Sequence, residues 1–499
     1  MNLTDNPIFL TQKRLVHRGG VLAAIIIATL LGLSLFSGLV AYLANPTAFR
    51  FDSPEDAGRM FYGWIVIIEG VILVLGGFSR VSRALSDDRK AGLWDSNRIT
   101  PLKPSQLVTG YWFGSGLREF YMAIAFAVIG LAVVLLAKLP ITLWLGSQVL
   151  LLSTACLFGL IGLLVGMAFE RSGILLVVAA FILCMFSLVA PGRMLPNFLL
   201  PIFGLNYLFQ NPNHPGYQHQ WDTPPSLFGL SLPPVILTLG IQFLVGFFLW
   251  RAAVRKTARP SQPLLLRWEA IALFAILVII QHGLLWSIWQ GHFPHIMLSG
   301  DRNYESRQSL LSAIHAATIC LAIIILTCAS PQPEVIRLES LRRGFKGVGP
   351  IFSRSAVPLA VALAVIAGTA TFTQCIFSLD RIWNIVAIVC INLVELFVAY
   401  ALLLEFCRVR HQKRAVGFLA LWLFILWALP FIFALVFFDS DFAKLSMLAP
   451  GFHALDNPDT ASSWDLLSLA ELAHGAIIIV LFSAWFRQWK RLLAKTSTT

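Results

Sequence analysis

Charge is scarce in this 499-residue chain: 12% of the residues are Asp, Glu, Lys or Arg, 58% are hydrophobic, and mean hydropathy is +0.77. A water-facing surface cannot be assembled from that composition, so a soluble globular domain is excluded. Cysteine is as sparse. Its seven copies (Cys156, Cys184, Cys320, Cys328, Cys375, Cys390 and Cys407) lie within apolar stretches or at one end of them. That leaves no disulfide framework and no CxxC metal knuckle, and they read as small hydrophobes in helix packing. Also missing is any G-x-x-x-x-G-K-[ST] phosphate loop, so the polypeptide does not bind ATP in the Walker manner. A cleavable signal peptide is not expected, because the apolar stretch after Lys13, Arg14 and Arg18 is too long for an h-region and has no small-residue cleavage motif.

What the chain has in abundance is long apolar stretches. A spanning helix needs about 20 apolar residues to cross a hydrocarbon core of about 30 Å. Such segments occur near 21–44, 61–78, 119–137, 143–168, 173–191, 233–254, 269–290, 310–329, 356–378, 382–406, 416–438 and 466–486. The cations alternate between the gaps: 29 of the 37 lysines and arginines fall in one set of alternate gaps and eight in the other. Cytoplasmic loops retain positive charge, which predicts that both termini are cytoplasmic. The +12 net charge follows from this bias. No basic run sits in a soluble domain, so nucleic acid is not expected as a partner.

The linker Arg251 to Arg267, with Pro260 and Pro263, divides the chain into halves 1–260 and 261–499 of six spans each. Each half has its longest internal cytoplasmic loop between its second and third spans (79–118 and 330–355). Each has its longest outside loop between its fifth and sixth (192–232 and 439–465). Phe203-Gly204-Leu205-Asn206-Tyr207-Leu208 with Asn211-Pro212-Asn213 faintly parallels Pro450-Gly451-Phe452-His453-Ala454-Leu455 with Asn457-Pro458-Asp459. An even number of spans per half makes this a parallel repeat. The expected fold is therefore an all-α polytopic membrane protein of about 12 transmembrane helices in two six-helix halves. At the amino terminus, Ile8, Phe9, Leu15 and Val16 against Lys13, Arg14 and Arg18 read as an amphipathic helix in the membrane interface.

Residues 87–120 read DDRKAGLWDSNRITPLKPSQLVTGYWFGSGLREF. The acidic start favours a helix amino terminus and Pro101 and Pro104 interrupt any continuous helix, which predicts a short helix, a turn and then the third span. The segment resembles the cytoplasmic loop of type-2 ATP-binding cassette (ABC) exporter permeases. In that loop an acidic-Arg pair, two spacer residues, Gly-Thr-Leu-Glu, then Thr-Pro-Leu-Ser and a Gly-Lys follow one another. Here Asp88-Arg89, Gly92-Leu93-Trp94-Asp95, Thr100-Pro101-Leu102-Lys103 and Gly110-Tyr111 occupy those places, with Leu93, Lys103 and Tyr111 departing from the pattern. The resemblance covers about 1–260; the loop 330–355 has Glu339, Arg342 and Arg343 but no Thr-Pro-Leu element.

What the resemblance implies is a permease subunit of a multi-pass exporter in a bacterial inner membrane, an efflux machine with no catalytic residue and no cofactor of its own. ATP would be bound and hydrolysed by a separate cytoplasmic ABC ATPase that seats on 79–118. Trp94 or Leu93 is the natural anchor, aromatics being common interface hot spots. Whether one chain, a homodimer of chains, or a pairing with a second permease completes the transmembrane unit stays open.

Ionisable groups inside spans are costly and mark candidate translocation paths. Glu69, Glu395, Glu471 and His474 are such groups, with His282 and His315. Glu471 and His474, three residues apart, are expected on one face of the last span. A metal site would need a second such pair, and none is present, so no metal is expected. The glutamates support an alternative class, a proton-coupled secondary transporter. Gly162 and Gly166 have small-xxx-small spacing and are expected to admit a neighbouring helix. The loop 192–232, with His214, His219, Trp221 and Asp222, reads as a lid of short helices and turns.

Overall fold

The computed structural model describes residues 6–18, 20–44, 53–168, 195–209, 226–289, 302–331, 333–343, 349–378, 382–411, 415–428 and 464–496. The architecture is that of an all-α polytopic membrane protein. Among the described residues eight helices are long and apolar enough to cross a membrane, nine if the pair Ile314–Ala329 and Pro333–Glu339, bent by 46°, counts as one span. A shorter apolar helix covers Val357–Thr373. The expected span 173–191 lies outside the described residues, as does the part of 416–438 beyond Ala428.

The chain forms two compact units, Met1–Ser226 with Leu230–Pro260, and Leu227–Gly229 with Ser261–Thr499. The first opens with α1 (Pro7–Arg18) and α2 (Val21–Ala44). Helix α3 (Pro54–Gly70) starts where the sequence says it must: the Ser53 hydroxyl accepts from the Asp56 amide at 3.2 Å, Pro54 follows, and Glu55 and Asp56 occupy the positive first turn. A π-helical turn, Val71–Gly76, leads into α4 (Gly77–Lys90). Two short helices follow, α5 (Leu93–Ile99) and α6 (Pro104–Ser115), then α7 (Leu117–Leu136) and α8 (Ile141–Ala168). The α7–α8 corner is tight because Lys138 takes φ 54. The Leu139 amide then reaches the Val134 carbonyl at 2.9 Å and the Lys138 amide the Leu135 carbonyl at 3.3 Å, which satisfies the last carbonyls of α7.

Two short helices, α9 (Leu195–Leu199) and α10 (Ile202–Phe209), and α11 (Pro234–Ala258) complete this unit; a ribbon of β1 (Ser226–Leu227) and β2 (Leu230–Ser231) precedes α11 in the chain. Its core joins α2, α3, α7 and α8 through Leu39, Tyr62, Ile65, Phe126, Val133 and Leu151. Helix α4 lies along α8, which lies along α11.

The second unit runs α12 (Arg267–Trp289), α13 (Arg302–Ala329), α14 (Pro333–Arg343), α15 (Gly349–Arg354), α16 (Val357–Ser378), α17 (Ile382–His411), α18 (Ala415–Leu423) and α19 (Trp464–Thr496). Helix α17 is its centre, packed by α16, α18, α19 and α13, and α12 lies on α16.

One expectation is corrected. Asp87 and Asp88 do not begin a helix; they sit in the last turn of α4, because nothing stops the second span at 78 and the helix continues to Lys90. The stop is Gly92, whose φ of 73 is a left-handed conformation costly for any residue with a Cβ.

Candidate functional site

The segment from Asp88 to Gly110 is an ordered, internally bonded tip. Arg89 turns inward and its Nη1 donates to the Gly166 and Met167 carbonyls at 3.2 and 2.5 Å, covering the open carboxyl end of α8. Tyr111 OH donates to Asp88 Oδ2 at 2.5 Å and accepts from Asn97 Nδ2 at 3.1 Å. Burial first, and then the Asp88 carboxylate, push the Tyr111 phenol well above its ordinary range, so it stays a donor. Trp94 packs edge-on against the Tyr111 ring at 5.4 Å. Arg98 Nε donates to the Thr257 carbonyl at 2.9 Å, tying α5 to the end of α11, while Arg98 also pairs with Asp95 at 3.1 Å. The turn after α5 is closed by Thr100 Oγ1 on the Asn97 carbonyl at 2.5 Å, and α6 begins with Pro104 and a Lys103–Gln106 capping box.

The two candidate anchors separate cleanly. Trp94 is 6% exposed and belongs to the inside of the tip, whereas Leu93 is 52% exposed. With Leu93 the surface carries Gly92, Asp95, Thr100 and Pro101, all exposed, and the partly buried Leu102. Gly110 is buried at the root of the tip. Of the residues marked by the motif, then, Asp88, Arg89, Trp94 and Gly110 hold the tip in place, and Leu93, Asp95, Thr100 and Pro101 form its outer surface.

Helices α14 and α15 of the second unit are also braced, by different residues. Arg354 pairs with Glu339, joining α15 to α14. Arg267 donates from Nη1 and Nη2 to the Ser353 and Ser355 carbonyls at 2.7 and 2.6 Å. Glu405, 1% exposed, accepts from the Ala356 amide at 2.5 Å and the Trp485 indole at 2.8 Å. Phe352 meets the Trp485 ring at 6.0 Å. Leu338 of α14 is 57% exposed. No motif marked Glu405, Arg267 or Trp485; the signal was an acid, a cation and a tryptophan at the ends of apolar runs, which reads as ordinary span flanks.

Inside the apolar layer, Glu69 is 1% exposed and accepts from Gln148 Nε2 at 3.0 Å. Two turns earlier Tyr62 OH pairs with Ser147 Oγ, and the Phe209 ring of α10 stacks on Tyr62 at 5.5 Å. Glu69 lies two residues before the π-helical turn, a distortion found often at functional sites. Gln242 of α11 donates to Thr154 Oγ1 at 2.9 Å and to the Leu199 carbonyl at 3.1 Å, pinning α9. In the second unit His474 Nδ1 lies 3.7 Å from Glu395 Oε2, across α19 and α17. The side chain of Glu471 lies outside the described residues, so its expected pairing with His474 does too. His214, His219, Trp221 and Asp222 likewise lie outside them. Among the described residues no group of three or more His, Cys, Asp or Glu is placed to hold a metal ion.

No family model, no curated protein and no solved structure matches the chain. The functional reading therefore stands on the motif at 88–111 and on the geometry above.

Proposed function

We propose that the chain is the permease subunit of an ABC exporter in a bacterial inner membrane, driven by a separate cytoplasmic ATPase that binds and hydrolyses the ATP. The observation that carries this is the tip at 88–110. A loop that merely linked two spans would not need its root fixed to three other helices, yet Arg89, Arg98 and Tyr111 fix it to α8, α11 and α4 while Leu93 and its neighbours face outward. A rigid protrusion with one exposed apolar residue amid charges is suited to seat in a partner and to pass its closure to the spans, since packed helices switch between discrete arrangements.

The same helix neighbours recur in the two units, which supports a duplication. In the first, α2 packs on α7, α4 on α8 and α8 on α11; in the second, α12 packs on α16, α13 on α17 and α17 on α19. On this reading one chain supplies a complete transmembrane pair, and α14 with α15 is a second seat presenting Leu338. Co-purification with a cytoplasmic ABC ATPase from the same cell tests the assignment. Wild type retains the ATPase, and Leu93→Asp inserts normally but loses it; equal retention by the variant removes the tip from the docking role.

The Glu395–His474 pair favours a second reading, a proton-coupled secondary transporter. That class transports on a proton gradient with the ATPase deleted, whereas the proposed exporter is silent without it.

A further inference from the structure

Helix α1 has one face that the bundle covers and one that it leaves open. Asn6 caps it, its Oδ1 accepting from the Ile8 amide at 3.0 Å, and its Nδ2 donates to the Gln106 carbonyl of α6 at 2.7 Å. Ile8 and Gln12 are buried beside it. They sit over two glycines of α6: a Cβ added to Gly110 would stand 2.8 Å from Ile8 Cβ, and one added to Gly114 would stand 2.8 Å from Gln12 Cβ. Gln12 Nε2 also reaches Asp88 Oδ2, at a long 3.5 Å. The helix thus lies along α6, whose first residue follows the Thr100–Lys103 turn of the tip.

The open face carries Leu10, 39% exposed, and Leu15, 54% exposed, with Thr11 and Arg14, and Lys13 stands half-buried at its edge. Two residues, including Gly20 at φ 78, separate α1 from α2, a helix long and apolar enough to cross a membrane, and so short a link keeps α1 near the end of that helix. Apolar side chains beside cations suit the headgroup boundary, and the cytoplasmic leaflet is the anionic one.

We infer that the open face of α1 binds anionic phospholipid, and that this binding steadies the Leu93–Pro101 tip through the seat of α1 on α6. The inference does not depend on what the tip docks, because its measurement needs no partner.

The test is hydrogen–deuterium exchange of the full chain in nanodiscs of phosphatidylcholine alone and of phosphatidylcholine with phosphatidylglycerol. Exchange over 7–18 and over 93–103 slows in the anionic discs, while α8 and α11 are unchanged and report an intact fold. Each cation near an anionic surface contributes roughly fivefold to binding, so Lys13→Gln with Arg14→Gln reduces the lipid effect roughly thirtyfold. High salt reduces it too. Leu15→Gln weakens it without removing charge. Inorganic phosphate added to phosphatidylcholine discs changes nothing; a matching slowdown would assign the site to a free anion and overturn the lipid assignment. Equal exchange in the two lipids overturns the inference, and a slowdown confined to 7–18 overturns the link to the tip.

Discussion

Leu93 and Trp94 are adjacent in sequence and opposite in environment, and the sequence could not separate them. Either is a plausible hot spot by residue type, but only packing reveals that Trp94 is committed to Tyr111 and that Leu93 is left for something else. Trp94→Ala should therefore cost about 3 kcal/mol or more of stability through the lost contacts and the cavity, seen as earlier thermal unfolding in detergent. Leu93→Ala should stay within about 0.5 kcal/mol of wild type in the same measurement, as exposed positions usually do. If Trp94→Ala unfolds like wild type, the side chain is not inside the tip. The motif residues themselves were legible because a family pattern marks them. Asn97, Gln12 and Arg98, which complete the tip, were not, because single hydrogen bonds to a phenol, a carboxylate and a carbonyl leave no spacing to read.

At the scale of the element, apolar run length located the helices well but not where they stop. The second span ends its apolar run near 78, yet α4 continues to Lys90, since a helix leaving the membrane only exchanges its apolar surface for Arg80, Arg83 and Asp87. Small-residue spacing was more informative. Gly162 and Gly166 of α8 lie directly over the α4 backbone, where an added Cβ would come within 2.6 Å of the Phe78 carbonyl and 2.8 Å of the Ser82 carbonyl. Backbone cannot give way as a side chain can. Gly162→Ala should lower the melting temperature clearly, whereas Gly240→Ala, which meets nothing within 4 Å, should leave it unchanged or slightly raised. Equal effects from both would mean that α4 and α8 do not approach so closely.

At the scale of the whole molecule, hydropathy announces a polytopic helical protein, and eight helices among the described residues are long and apolar enough to bear that out. The proposed duplication is faint in sequence: lipid accepts almost any apolar residue, so two units can share helix neighbours while sharing few side chains. Orientation rests on the distribution of Lys and Arg. Reporter fusions after Thr499 and within 79–118 should both report the cytoplasm, and one placed near Lys138 the opposite side; a fusion at 138 that reports the cytoplasm reverses the orientation.

In the proposed exporter, the outward face of the tip is what meets the ATPase. Single cysteines at Leu93, at Thr100 and, as an exposed control at the far end of α7, at Leu136 can be probed with a short bifunctional crosslinker in membranes that contain the proposed partner ATPase. Crosslinks from 93 and 100 but not from 136 are the predicted result. Crosslinks from neither tip position, with the ATPase present and the protein inserted, would contradict it.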